Sequence, residues 1–110
     1  MKVYEFPYSG SGGKGDSWEA MIDVKLTDEE SERLIASAKS HDDMDEDSQI
    51  DDIYQKVYQK IVDENMVNVS DMIDEFRSDY NMPEDATDRE VVEEYLDNQR
   101  IHIHYPEMIL

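Results

Sequence analysis

Trp18-Glu19-Ala20-Met21-Ile22-Asp23-Val24-Lys25-Leu26-Thr27-Asp28-Glu29-Glu30 contains the change of period on which the fold turns. Up to Leu26 the apolar residues recur at every second position: Trp18, Ala20, Ile22, Val24 and Leu26 face one way, Glu19, Asp23 and Lys25 the other. Successive side chains of a strand point to opposite faces, so this segment is a strand covering a core on one side only. Thr27 and Glu30 then form a capping box, in which the hydroxyl accepts from the third helical amide and the carboxylate reaches back. A helix is expected from there to about Ser40, with Leu34, Ile35 and Ala38 inward.

Toward the N-terminus, Lys2 to Phe6 reads as a short strand ending at Pro7. All four glycines follow in one serine-rich window, Gly10, Gly12, Gly13 and Gly15, which marks the flexible tip of a hairpin. Ser9-Gly10-Ser11-Gly12-Gly13-Lys14-Gly15 has the composition of a phosphate-binding loop. It lacks the Gly, four residues, Gly-Lys-Ser/Thr spacing and the following helix that such a loop needs.

Toward the C-terminus, His41 to Asp47 is acidic with no apolar stripe and reads as a loop. Ser48 is placed to cap the central core helix, in which Ile50, Ile53, Tyr54, Val57, Tyr58, Ile61 and Val62 recur three and four apart. Ser70 is expected to cap a third, shorter helix using Met72, Ile73, Phe76 and Tyr80, ended by Asn81-Met82-Pro83. Thr87 and Glu90 form a second capping box opening a helix with Val91, Val92, Tyr95 and Leu96 inward. After Arg100 the period returns to two: Ile101, Ile103 and Tyr105 alternate with His102 and His104 until Pro106. Two strands, four helices and one strand, with no βαβ alternation, predict an α+β fold. The expected architecture is one domain over residues 1–110. Its three-stranded sheet, antiparallel or mixed, joins the N-terminal hairpin to the C-terminal strand, with about four helices on one face.

The chain has 110 residues, with 29 acidic against ten basic side chains and a net charge of −19. Leu, Ile, Val and Phe number 23, just above the ~20% that separates folded from disordered chains. Binding to nucleic acid or to an anionic membrane is disfavoured, because both need clustered Lys and Arg. The absence of cysteine removes disulfides, thiolate catalysis and thiolate-bound zinc. Met1 to Glu5 has none of the apolar stretch of a signal peptide, so a cytoplasmic location is expected. The charge is lopsided: residues 42–99 carry 20 acids and four bases, and residues 1–41 carry eight and five.

Two constellations invite chemistry. Asp43, Asp45 and Asp47 fit positions 1, 3 and 5 of a calcium-binding loop, but Ser48 stands where the turn needs Gly and Tyr54 where it needs a bidentate Glu. His102 and His104 share a strand face and, with a carboxylate, form a transition-metal ligand set. The simpler reading is the polar face of a half-exposed strand. No nucleophile elbow, zinc-protease or dinucleotide motif is present, so no enzyme, cofactor or metal is expected. The expected function is a small non-catalytic acidic binding protein engaging the basic surface of a partner protein. Acidic nuclease inhibitors, toxin-neutralising proteins and DNA mimics are of this general type. The candidate partner-binding residues are Asp42, Asp43, Asp45, Glu46, Asp47, Asp71, Asp74, Glu75, Asp79, Glu90, Glu93, Glu94 and Asp97. The competing readings are an accessory subunit with an apolar or sheet-mediated interface and, behind it, a calcium-responsive module.

Overall fold

A computed structural model describes residues 1–12 and 16–106. The chain runs β1 (Lys2–Ser11), β2 (Ser17–Leu26), α1 (Asp28–Ser40), α2 (Asp51–Asn68), α3 (Ile73–Asp79), α4 (Asp88–Asn98) and β3 (His102–Ile103). The three strands form an antiparallel sheet in the order β2-β1-β3. The arrangement is α+β, with the hairpin and the C-terminal strand sharing one sheet as the two periodicities require. No helix among the described residues is long and apolar enough to cross a membrane.

Tyr4, Phe6 and Tyr8 of β1, Val24 and Leu26 of β2 and Ile103 of β3 turn to the helical side and are buried. They meet Leu34 of α1, Ile53, Val57, Ile61 and Val62 of α2, Ile73 and Phe76 of α3, and Val91, Val92 and Leu96 of α4. The period of 3.6 in α2 thus becomes the stripe that covers the sheet.

Several local expectations are corrected. β1 does not end at Pro7 but runs on to Ser11, and the inward alternation Tyr4, Phe6, Tyr8 continues through the proline. The Pro7 carbonyl accepts from the His104 amide, so its nitrogen faces the β3 side of the strand. β3 pairs only Ile103 and His102 with β1, and its ladder does not need the donor that proline lacks. The expected strand over 101–105 is accordingly just two residues long. Of the glycine window, Gly10 lies inside β1, and positions 13–15 fall outside the described residues.

The capping box at Thr27 forms in full, with the Thr27 amide 2.9 Å from Glu30 Oε1 and the Glu30 amide 3.1 Å from Thr27 Oγ1. At Thr87 only half of it forms: the hydroxyl accepts from the Glu90 amide and donates to the Glu90 carboxylate, leaving no return bond to the backbone. Ser48 does not cap α2, which starts at Asp51 after Ile50 with no side-chain cap; Asp47 instead caps the preceding 3₁₀ turn, Ser48–Ile50, by accepting from the Gln49 amide. Ser70 likewise opens a 3₁₀ turn, Ser70–Met72, and makes no side-chain cap. α1 buries Ser31 and Ser37 beside Leu34, while Ile35 and Ala38 are half-buried. The acidic 41–47 segment holds a 3₁₀ turn, Met44–Glu46, whose Met44 is fully buried.

Candidate acidic interface

The thirteen predicted carboxylates divide by what they touch. Seven are engaged within the protein. Asp43 lies 2.9 Å and Asp45 3.6 Å from the ring nitrogens of His102. Asp47 accepts from the Gln49 amide and faces His41. Asp74 pairs with Arg77 at 2.7 Å, and Glu93 stands 3.7 Å from Arg89. Glu90 accepts from the Thr87 hydroxyl and Glu94 from Asn98. The carboxylates of Asp42, Glu46, Asp71, Glu75, Asp79 and Asp97 accept no hydrogen bond and form no ion pair among the described residues.

Helix packing decides which of these come together. α4 is clamped to α2 by Arg89, which pairs with Asp63 at 2.6 Å and hydrogen-bonds the Gln59 side chain. α3 is held to α4 by the stacked rings of Phe76 and Tyr95, 4.6 Å apart, and by Arg77, which bonds Asp88 and the Ala86 carbonyl. The Glu93 and Asp97 side of α4 is thereby set against the outer edge of the α2 stripe, where Tyr54 and Tyr58 sit half-buried.

Electrostatics report the same proximity. Burial first, and then the charges of Glu93 and Asp97, push the Tyr58 hydroxyl above its ordinary pKa. Burial, Asp45, Tyr58 and Asp51 do the same to Tyr54. On the far side of α4, burial raises Tyr80, followed by Tyr95, Asp79 and Glu94. Asp45 ahead of α2 therefore acts on Tyr54, and Glu93 and Asp97 of α4 act on its neighbour Tyr58, although about 50 residues separate Asp45 from Asp97 in the chain.

Between them lies a groove of ≈ 250 Å³ lined by Tyr54, Gln55, Tyr58, Leu96, Asp97, Arg100 and Ile101. Arg100 carries φ 53°, a left-handed conformation that arginine rarely adopts, where the chain leaves α4 for β3. Its side chain forms no ion pair among the described residues.

No family model, curated protein or solved structure matches the chain.

The groove was not foreseen. Tyr54 and Tyr58 satisfy the core periodicity, and only their position at the edge of the stripe distinguishes them from interior residues. Asp71, Asp74 and Glu75 lie on α3 and the turn before it, and none of them bears on these tyrosines. The calcium-loop triplet does not converge. Asp47 turns to the Gln49 amide, while Asp43 turns to His102, and the one convergent ligand group among the described residues is Asp43, His102 and His104.

Proposed function

We propose that this chain is a small, non-catalytic, cytoplasmic binding protein whose acidic surface around Tyr54 and Tyr58 engages the basic surface of a partner protein, one that otherwise holds nucleic acid. The observation supporting this reading is the groove that Asp97 lines together with Tyr54 and Tyr58, with the charge of Asp45 acting on Tyr54 and that of Glu93 on Tyr58. An aromatic ring flanked by carboxylates is a favourable seat for Lys or Arg, combining cation–π attraction with charge pairing. The unpaired carboxylates beyond it, Asp42, Glu46 and Asp79 among them, supply long-range attraction that speeds association. Arg100 opposes a cation in the same groove and so favours a partner whose basic groups approach from the Glu93 side.

The test is capture of partners at low salt, identification, and measurement of association rates for the purified pair. A basic partner displaced by duplex DNA, with association slowed by Glu93→Gln plus Asp97→Asn, supports the proposal. Capture indifferent to salt, or affinity unchanged in that double variant, overturns it. A second reading rests on the open face of the sheet, where Val3 and Met21 are more than half exposed and Pro7 and Met21 line a groove with His104. If Met21→Ser abolishes binding while the α4 variant retains it, the interface is the sheet.

A further inference from the structure

Asp43, His102 and His104 offer one ligand atom each, and the three lie within 4.8 Å of one another. We propose that they bind a first-row transition ion, zinc by preference, which ties the 43–47 turn to the edge strand β3. His102 and His104 stand two apart on the outer face of the sheet, because Ile103 between them points into the core. Their rings meet nearly perpendicular, with centroids 4.7 Å apart. Asp43 comes from 59 residues earlier and places Oδ1 2.9 Å from His102 Nε2. Two ligands of a tetrahedral zinc, each ~2.0–2.1 Å from the metal, stand roughly 3.3 Å apart, so this pair needs only a few tenths of an ångström to admit the ion.

The surroundings are those that hold metal-bound imidazoles in place. The other nitrogen of His102, Nδ1, faces Asp45 at 3.6 Å. His104 Nε2 lies 3.2 Å from the Ser9 hydroxyl of β1. A carboxylate or hydroxyl behind a ligating histidine orients the ring and increases its basicity. Two imidazoles and one carboxylate suit zinc and its neighbours and do not suit calcium or magnesium, which take all-oxygen sets. His102 and Asp43 are each more than a third exposed, so a fourth position is open to water. The fold has a use for the ion: among the described residues β3 is a two-residue strand, held to β1 by the pairing of His102 and Ile103, the His104 amide and the Ser9–His104 side-chain contact. A metal would add a cross-link at that weak edge.

Zinc chloride titrated into the metal-free protein, followed by calorimetry, should show a single saturable equivalent in the micromolar range. Excess calcium should leave it unchanged. Cobalt(II) should give the visible bands of a tetrahedral or five-coordinate nitrogen–oxygen site, with no thiolate charge transfer. His102→Ala, His104→Ala and Asp43→Asn should each weaken zinc by more than the ~10–100-fold that loss of an outer partner costs. Asp45→Asn should fall within that range. Asp28→Asn and Glu29→Gln, exposed carboxylates at the start of α1, should leave zinc affinity unchanged. Zinc should also raise the melting temperature of the wild type and not that of Asp43→Asn, a readout that stands if a histidine variant folds poorly. Zinc uptake equal in wild type and Asp43→Asn, calcium competing on equal terms, or no thermal shift in the wild type would overturn the site and leave only diffuse adsorption to carboxylates.

Discussion

Gly10 sits in β1 opposite Trp18, where a Cβ would come within 2.7 Å of Trp18 Cε2 and nearer still to Cζ2. The indole is fixed by its Nε1–H donating to Gln99 at 3.0 Å and by an edge-to-face contact with Tyr8, so it has nowhere to retreat. Gly10→Ala should therefore destabilise by about 1–3 kcal/mol, the usual cost of overpacking, seen as a lower melting temperature. Trp18→Ala added to it should remove most of the further penalty. Tyr4 shows the opposite case. Its hydroxyl is buried without a partner among the described residues. Tyr4→Phe removes a desolvated polar group, and its melting temperature should match or exceed the wild type, whereas Tyr8→Phe loses a bond to Glu64. A lower melting temperature for Tyr4→Phe would show that the hydroxyl is satisfied in solution.

At the scale of elements, the two capping threonines provide an internal comparison. Thr27 and Glu30 exchange both bonds, and Glu30 also accepts from Lys56 of α2 at 3.0 Å, so the start of α1 is fastened to a second helix. Thr87 accepts from the Glu90 amide and donates to the Glu90 carboxylate, but its own amide donates no return bond. Thr27→Ala should cost about 1 kcal/mol or more and Thr87→Ala less, measured by chemical denaturation. The Thr27 amide first, and then Lys56, hold the Glu30 carboxyl below its ordinary pKa. A depressed folded pKa means that this contribution is present at neutral pH and is lost as pH falls through the carboxylate range. Asp47, held down chiefly by the Gln49 amide, and Asp52, by the Arg33 guanidinium, act in the same direction. Repulsion among 29 acids would suggest raised carboxylate pKa values and greater stability toward pH 5. Glu30, Asp47 and Asp52 are held low instead, because these acids sit at helix starts or beside arginine. Acid should therefore erode stability from about pH 4 downward, and Glu30→Gln, which lacks this contribution at neutral pH, should be less stable at pH 7 and lose less on acidification.

For the whole molecule, the net charge of −19 and the spread of unpaired carboxylates predict that added salt raises the melting temperature at pH 7. A melting temperature indifferent to salt would mean that counterions or internal pairing already cancel the repulsion. Alkali acts through the tyrosines. Tyr8, Tyr54, Tyr58, Tyr80 and Tyr105 are all pushed above the ordinary phenol value, burial being the largest cause in each. A raised folded pKa stabilises fully below the unfolded value of ~10 and is lost as pH climbs through the folded one. Tyrosinate absorbance should therefore lag and then rise together with unfolding above about pH 10. Gradual titration of these five tyrosines near the ordinary phenol value in a folded protein would contradict their burial. Association has its own signature: Arg100→Ala removes the cation lining the groove and should speed binding of a basic partner, where a structural role alone predicts no gain.

The order of elements, the inward faces of β2, α2 and α4 and the cap at Thr27 follow from local pattern alone, because burying one face imposes a period of two or 3.6 wherever an element forms. Pro7 misled because a proline ends a strand only when its missing donor is needed, and that depends on how far β3 runs beside β1. Met44 looked like part of an acidic loop because a single buried anchor has no period. The meeting of Asp43 with His102 and His104, and of Asp45, Glu93 and Asp97 around Tyr54 and Tyr58, was decided by tertiary structure. Composition set how many carboxylates the surface carries. Which of them share a groove or a ligand set depends on contacts between segments tens of residues apart, and those are chosen by the packing of α4 on α2 and of β3 on β1.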